Sequence, residues 1–139
     1  MNIMKVFNIP KVDQESKVNG KCEKVNKDDL VNEDDKNLYK VVCRRCKSLI
    51  FPEDVVMYVE NQPKKLKIMC NHGIGPAQFE TISWWWYTEN DLIFDTIGWQ
   101  TVDGQKVLMC GDCELGPIGV RSADNKKFWV AVERVKYSE

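Results

Sequence analysis

Histidine is almost absent from this 139-residue chain, which has one histidine beside six cysteines. A single histidine excludes a metallohydrolase of the His-Glu-x-x-His type, which places two histidines on one helix face. The chain also lacks a surplus of positive charge, because 20 basic and 21 acidic residues leave a net charge of −1. Non-specific binding to nucleic acid depends on neutralising phosphates and usually requires a basic surplus. We therefore expect no nucleic-acid partner.

Long apolar runs are missing as well. No run approaches the length that spans a bilayer, and residues 1–5 lack the apolar core of a signal peptide. We therefore expect a cytoplasmic protein without membrane insertion. In that reducing compartment, cysteines are expected to be metal ligands or free thiols before disulfides.

Aromatic side chains are scarce in residues 1–38, which contain only Phe7 out of the fourteen aromatic residues of the chain. The same segment carries eight acidic and seven lysine side chains. Such a composition buries too little apolar surface to offset the entropy of ordering. We predict a disordered charged tail over 1–38, with Cys22 as a free thiol, followed by a single domain over 39–139.

A helical period of 3.6 residues is not sustained anywhere in residues 39–139. Short runs rich in β-branched and aromatic residues alternate instead with turn residues, which predicts a mainly β domain with antiparallel strands. Prolines and glycines interrupt residues 52–83, and we interpret this range as an extended loop or hairpin insertion. In the run Trp84–Tyr87, alternate side chains of a strand face opposite ways. One face is expected to be core, and the other is either covered or a partner surface.

Two Cys-x-x-Cys pairs, Cys43–Cys46 and Cys110–Cys113, carry the strongest chemical signal. Each pair can present two thiolates to one cation, and together they complete a four-sulfur site. Zinc suits four thiolates, and a site filled by four protein ligands is structural rather than catalytic. We predict one structural zinc ion that ties the first pair to the last third of the chain. The alternatives are iron, as in rubredoxin-like carriers, and a disulfide framework.

The second pair and its surroundings carry a family resemblance. Residues 110–119 read Cys-Gly-Asp-Cys-Glu-Leu-Gly-Pro-Ile-Gly, residues 86–99 form an acidic and then apolar segment, and residues 128–135 follow in the same order. Together with residues 39–48 around the first pair, they closely resemble the Rab-interacting factor family. These zinc proteins were first described as mammalian suppressors of a yeast Sec-four Rab defect. The resemblance covers a little under half of the chain.

The resemblance implies coiled antiparallel sheets of the β-tent type, tied by one zinc. It also implies a protein that is a monomer when free, binds Rab-family small GTPases, promotes loss of their guanine nucleotide and holds the nucleotide-free form in vesicle transport. The partner-binding residues that it implies are Glu89, Asn90, Asp91, Leu92, Ile93 and Asp112. At Asn90–Leu92 the family commonly has Asp-Met-Phe, so one charge is displaced by one position and an aromatic side chain is absent.

Other functions remain open from the residues alone. Asp112 can simply cap its own cysteine turn, and Leu92 and Ile93 can belong to an ordinary core strand. The first alternative is a B-type methionine sulfoxide reductase. The sequence argues against it, because this enzyme needs a nucleophilic cysteine near the C-terminus and no cysteine follows Cys113. A zinc-ribbon module for a protein or nucleic-acid partner is a second alternative. A Rab-binding chaperone without significant exchange activity is a third.

Overall fold

The computed structural model of the chain describes residues 6–7, 27–69 and 78–139. These residues form twelve strands: β1 Val6–Phe7, β2 Lys40–Cys43, β3 Leu49–Phe51, β4 Met57–Val59, β5 Lys64–Lys67, β6 Phe79–Ile82, β7 Trp85–Thr88, β8 Gly98–Val102, β9 Gln105–Met109, β10 Gly119–Arg121, β11 Phe128–Ala131 and β12 Val135–Ser138. Helical structure in the described part is limited to the 3-10 turns Lys27–Asp29, Asp91–Ile93 and Val132–Arg134. None of these is long and apolar enough to cross a membrane. The prediction of a mainly β domain is confirmed.

The strands form three sheets in which every pairing is antiparallel. A four-stranded sheet has the order β1-β12-β2-β3, a six-stranded sheet the order β4-β7-β11-β10-β9-β8, and β5 and β6 form a two-stranded hairpin. The chain passes from the six-stranded to the four-stranded sheet through the turn Val132–Arg134. The two cysteine pairs lie on different sheets, because the first follows β2 and the second follows β9.

The main core lies between the four-stranded and six-stranded sheets. The four-stranded sheet contributes Phe51 and Tyr137, and the six-stranded sheet contributes Trp86, Leu108 and Phe128, all almost fully buried. The Trp86 indole N–H donates to the Tyr137 hydroxyl oxygen at 3.0 Å. Burying each large apolar side chain stabilises the fold by about 2–3 kcal/mol, so this interface contributes substantially to stability.

A second core covers the opposite face of the six-stranded sheet. Leu66 of β5 and Ile82 of β6 pack there with Trp85, Val107 and Ala131. Trp85 and Trp86 are both 0% exposed, and they face different cores because neighbouring side chains of a strand alternate. The central part of the tryptophan run is therefore core on both faces.

The range 52–83 is only partly the insertion that the sequence suggested. It contains the β5–β6 hairpin, which lies against the six-stranded sheet, but β4 in the same range pairs with β7 as a regular member of that sheet. Residues 70–77, with Cys70 and the single histidine His72, lie outside the described residues.

The folded domain begins before Tyr39. Leu30 is 1% exposed and belongs to the main core, and the side chain of Asn37 is fully buried. The Asn37 amide donates to the carbonyl oxygens of Tyr39 and Pro52 and accepts from the N–H groups of Val55 and Val56, at 2.7–3.0 Å. Residues 30–37 thus belong to the domain and not to the tail predicted over 1–38. Most of the expected tail, including Cys22, lies outside the described residues.

Candidate metal centre and adjoining surface

The two Cys-x-x-Cys turns have the same backbone conformation. In the first, the Lys47 N–H donates to the Cys43 carbonyl and the Cys43 N–H donates to the Ser48 carbonyl, at 3.0 and 2.9 Å. In the second, the Glu114 N–H donates to the Cys110 carbonyl and the Cys110 N–H donates to the Leu115 carbonyl, both at 3.0 Å. Lys47 and Glu114 both have a left-handed backbone, with φ of 66° and 63°. Each turn therefore curls back on its strand and directs both cysteines to the same side.

The four sulfur atoms converge on one point between the sheets. All four Sγ atoms of Cys43, Cys46, Cys110 and Cys113 lie within 4.8 Å of one another. The Cys43–Cys113 and Cys46–Cys110 sulfur pairs are each 3.6 Å apart. A tetrahedral zinc–thiolate site with bonds of about 2.3 Å has sulfur–sulfur edges of about 3.8 Å. The predicted ligand set is therefore brought together in a geometry that can hold a metal ion.

Backbone N–H groups point at the sulfurs. The N–H groups of Arg45 and Asp112 lie 3.3 and 3.4 Å from the sulfurs of Cys43 and Cys110. Burial raises the pKa of the Cys43 and Cys110 thiols, to about 12 for Cys110. At Cys113 burial opposes ionisation, but hydrogen bonds from the Leu115 backbone and the Arg45 side chain lower its pKa to about 6. A bound cation would supply the charge that keeps the buried sulfurs ionised.

Two hydrogen bonds join the turns directly. The Ser48 hydroxyl donates to the Asp112 carboxylate, and the Arg45 guanidinium donates to the Cys113 carbonyl oxygen at 2.6 Å. Asp112 remains exposed. Its carboxylate thus bridges to the other turn, and Ser48 fixes its direction. Ser48 and Arg45 were not predicted as site residues, because their partners are more than 60 positions away and no local spacing signals the contact.

The acidic and apolar segment Glu89–Ile93 forms an exposed turn after β7. Asn90 caps the 3-10 turn, since its side-chain oxygen accepts from the Leu92 N–H at 3.0 Å. Glu89 accepts a hydrogen bond from the Tyr87 hydroxyl. Leu92 is 86% exposed, the largest fraction among the exposed large apolar side chains in the described part of the chain, whereas Ile93 is half-buried against the main core. Four of the five residues, Glu89 to Leu92, are therefore available to a partner.

The residues after Ile93 connect this segment to the second cysteine turn. The Phe94 ring packs on Phe51 with centroids 4.6 Å apart, and the Asp95 N–H donates to the Ile50 carbonyl oxygen at 2.8 Å. Gly111 lies so close to the next residues that a Cβ atom there would be 3.0 Å from the Ile97 nitrogen. The residues that follow the segment therefore contact both β3 and the second cysteine turn.

The sequence model of the Mss4 protein family matches residues 36–137, which contain both cysteine pairs and the exposed segment. The chain belongs to the Mss4 family. A member from Drosophila melanogaster, named guanine nucleotide exchange factor MSS4 homolog, is 28% identical over 110 residues, which cover 76% of this chain and 89% of the fly protein. The Mss4 match begins at Lys36, close to the buried Asn37, and agrees with a domain that begins before Tyr39. This is the Rab-interacting factor family that the sequence resembles, and the predicted family is thereby confirmed.

Proposed function

We propose that this Mss4-family protein binds Rab-type small GTPases in the cytoplasm, promotes release of their guanine nucleotide and holds the nucleotide-free form. One observation carries the proposal: Asp112 is an exposed carboxylate held by Ser48, and its turn packs against Thr96 and Ile97, which follow the exposed Glu89–Leu92 segment. An acidic group with a fixed direction can pair with a lysine or a main-chain N–H of a partner at low entropic cost. Membership of the Mss4 family and the name of the fly relative support this proposal.

We also propose that the four cysteines hold one structural zinc ion. Four thiolates fill its tetrahedral shell, so zinc would supply a rigid link between the sheets and no open position for a substrate or water. Cys43 and Cys46 would hold the ion from the four-stranded sheet, and Cys110 and Cys113 from the six-stranded sheet. The backbone of Asp112 would be held in place because Asp112 lies between two zinc ligands, Cys110 and Cys113.

Exchange of this kind needs no covalent chemistry. A factor that binds the nucleotide-free GTPase better than the loaded form shifts the equilibrium towards nucleotide loss, and each tenfold preference corresponds to about 1.4 kcal/mol. The exposed Leu92 would add apolar contact beside the acidic groups of Glu89 and Asp91. We therefore propose that the protein is an exchange factor that acts through binding alone and not an enzyme that makes or breaks covalent bonds. We also propose that it is a monomer when free.

Release of a fluorescent guanine nucleotide from a panel of purified Rab GTPases tests the proposal. We expect the metal-loaded protein to accelerate release from at least one Rab, and Asp112→Ala to slow that release about tenfold or more, because a charge-assisted hydrogen bond is lost. Asp34→Ala is the matched control, since Asp34 is an exposed aspartate in the turn after Val31. It should release nucleotide at the wild-type rate.

Three other outcomes would change the proposal. A stable complex with a nucleotide-free Rab that does not accelerate release would favour a chaperone. The absence of a complex with every nucleotide-free Rab would refute the function. If Asp112→Ala matched the wild type while release was accelerated, the partner surface would be placed wrongly although the activity was right.

A further inference from the structure

Trp99 is one of the few large apolar side chains that stay exposed in the described part of the chain. It lies on β8, at one edge of the six-stranded sheet, and is 40% exposed. Trp99 pairs with Leu108, which is buried in the main core, and directly paired residues point to the same side of a sheet. Trp99 therefore lies on the face opposite to the β5–β6 hairpin. Because single exposed apolar residues are common, its surroundings decide whether it belongs to a partner surface.

Ring contacts link Trp99 to the residues that follow the exposed Leu92. The Trp99 ring centroid lies 5.4 Å from that of Phe128, and the Phe128 ring centroid lies 5.6 Å from that of Phe94. Phe94 follows Leu92 by two positions in the chain. The three rings therefore form a continuous apolar path from Trp99 to the end of the exposed Glu89–Leu92 segment.

The backbone links Trp99 to the turn that carries Asp112 as well. The preceding residue, Gly98, lies beside that turn. A Cβ atom at Gly98 would be 3.5 Å from the Cys110 carbonyl oxygen and 3.6 Å from the Gly111 Cα atom. Trp99 is therefore connected to both parts of the proposed partner surface, the Asp112 turn and the exposed segment.

Arg121 places a positive charge next to the Trp99 ring. Its guanidinium carbon lies 5.1 Å from the ring centroid, which is within the range of a cation–π contact. Arg121 donates to the carbonyl oxygens of Val107 and Gln100, at 3.3 and 3.0 Å. It also donates to the side-chain oxygen of Asn125. These three acceptors hold the guanidinium in position, and none of them carries a charge.

The Arg121 guanidinium retains donors for a partner. A guanidinium has five N–H donors, and the three hydrogen bonds above use three of them. In the part of the chain that the structure describes, Arg121 forms no ion pair with a carboxylate. The planar fork of an arginine matches the two oxygens of a carboxylate. Since Glu89, Asp91 and Asp112 are all acidic, Arg121 gives the proposed partner surface a place for a carboxylate of the partner.

We propose that Trp99 and Arg121 extend the partner surface and bind a carboxylate of the Rab GTPase beside one of its apolar side chains. Their role rests on the proposed function, because both residues are assigned to the same complex. Tryptophan and arginine are enriched among the residues that contribute most to protein interfaces. The carboxylate would accept from Arg121, and the apolar side chain would pack on the exposed part of the Trp99 ring. The pair would thus select the GTPases that present an acidic group at this place.

Titration of the metal-loaded full chain with a nucleotide-free Rab tests the pair. We expect Trp99→Leu and Arg121→Gln each to weaken the complex about tenfold or more, because an interface anchor or a charge-assisted hydrogen bond is lost. The matched controls lie on the β5–β6 hairpin. Phe79→Leu changes an aromatic residue that is 42% exposed, and Lys65→Gln removes one exposed positive charge. Both controls should bind as the wild type does.

A double-mutant cycle identifies the carboxylate. The exposed aspartates and glutamates of that Rab are replaced in turn by asparagine or glutamine, and each variant is titrated with the wild type and with Arg121→Gln. One Rab variant should lose affinity for the wild type but not for Arg121→Gln. Near-ultraviolet circular dichroism checks that each protein is folded. If Trp99→Leu is not, Trp99→Phe takes its place beside Arg121→Gln, because phenylalanine keeps an aromatic ring at this position.

The results distinguish a failure of this pair from a failure of the proposed function. If the wild type binds no nucleotide-free Rab, both are overturned. If Asp112→Ala weakens the complex while Trp99→Leu and Arg121→Gln bind as the wild type does, only the role of the pair is overturned. The same holds if the control variants lose affinity equally, or if no carboxylate of the Rab is coupled to Arg121.

Discussion

At the scale of single residues, the direction of the Asp112 carboxylate depends on a serine from the other cysteine turn. The two turns belong to different sheets, and the hydrogen bond from Ser48 to Asp112 joins them together with the one from Arg45 to the Cys113 carbonyl oxygen. A surface carboxylate without such a partner would sample several rotamers and lose entropy on binding. Ser48 is therefore a positioning residue for the proposed partner surface.

Ser48→Ala should weaken the complex with a nucleotide-free Rab about three- to tenfold, which corresponds to the loss of one hydrogen bond. The Ser48 hydroxyl also lies 3.2 Å from the Cys46 sulfur, so metal content and thermal stability should fall slightly, and by less than the affinity does. Binding titration together with thermal denaturation measures both quantities. Ser48→Thr keeps the hydroxyl and should restore affinity. If Ser48→Thr fails as badly as Ser48→Ala, the serine acts by packing and not by orienting Asp112.

At the scale of elements, residues 114–119 lead from the second cysteine pair into β10, and the last of them, Gly119, is required to be glycine for a steric reason. A Cβ atom at Gly119 would lie 2.2 Å from the carbonyl oxygen of Trp129, which is backbone of the neighbouring strand β11. This contact occurs where β10 begins, immediately after the second cysteine turn. The glycine therefore allows β10 and β11 to approach closely beside the metal centre.

Gly119→Ala should destabilise the protein by about 1–3 kcal/mol, because the added methyl group forces strands β10 and β11 apart. Urea denaturation monitored by tryptophan fluorescence measures the change. Gly98→Ala is the control, since a Cβ atom there would meet its nearest neighbour, the Cys110 carbonyl oxygen, at an ordinary 3.5 Å. Equal stability of the two variants would contradict the steric explanation.

The segment before β2 is the second feature to test at this scale. Leu30→Ala should lower the free energy of unfolding by about 2–5 kcal/mol, the usual cost of emptying a buried leucine site. Leu38→Ala, at a position that is 42% exposed, should change it by less than about 1 kcal/mol. Denaturant titration of both variants gives the comparison. If Leu30→Ala were as stable as the wild type, the segment before β2 would not be part of the folded domain.

The sequence predicted the local features well and the distant contacts poorly. The cysteine ligands were predictable because two intervening residues suffice to bring two sulfurs to one ion. The partnership of Ser48 with Asp112 was not, since nothing in either neighbourhood encodes the other. Leu30 and Asn37 were not predicted to be buried, because the charged residues around them are typical of a solvated segment. One buried leucine and one asparagine with all its hydrogen bonds made nevertheless hold the segment against the domain.

At the scale of the whole molecule, the four cysteines connect the two sheets that enclose the main core. Sixty-three residues separate Cys46 from Cys110, and closing a loop of that length costs chain entropy. Metal binding in small metal-folded domains contributes on the order of 10 kcal/mol. A metal ion at this place would therefore stabilise the fold of the entire domain and not only one turn.

Cys113→Ser, or removal of the metal by a chelator, should lower the melting temperature strongly and loosen the packing between the sheets. Metal analysis combined with thermal denaturation and near-ultraviolet circular dichroism checks this expectation. Cys22→Ser should retain the metal and the stability, because we expect a free thiol at that position. A melting temperature that does not change after complete loss of the metal would contradict a structural role.

The central claim is that the surface of Asp112 and Glu89–Leu92 recognises a Rab GTPase that has lost its nucleotide. The most direct test is the affinity of the metal-loaded protein for one Rab, measured in its nucleotide-free and in its GDP-loaded state. We predict at least about a hundredfold preference for the nucleotide-free state, which corresponds to about 2.7 kcal/mol of differential contact, and a marked reduction of this preference in Asp112→Ala. Equal affinity for the two states would contradict the claim.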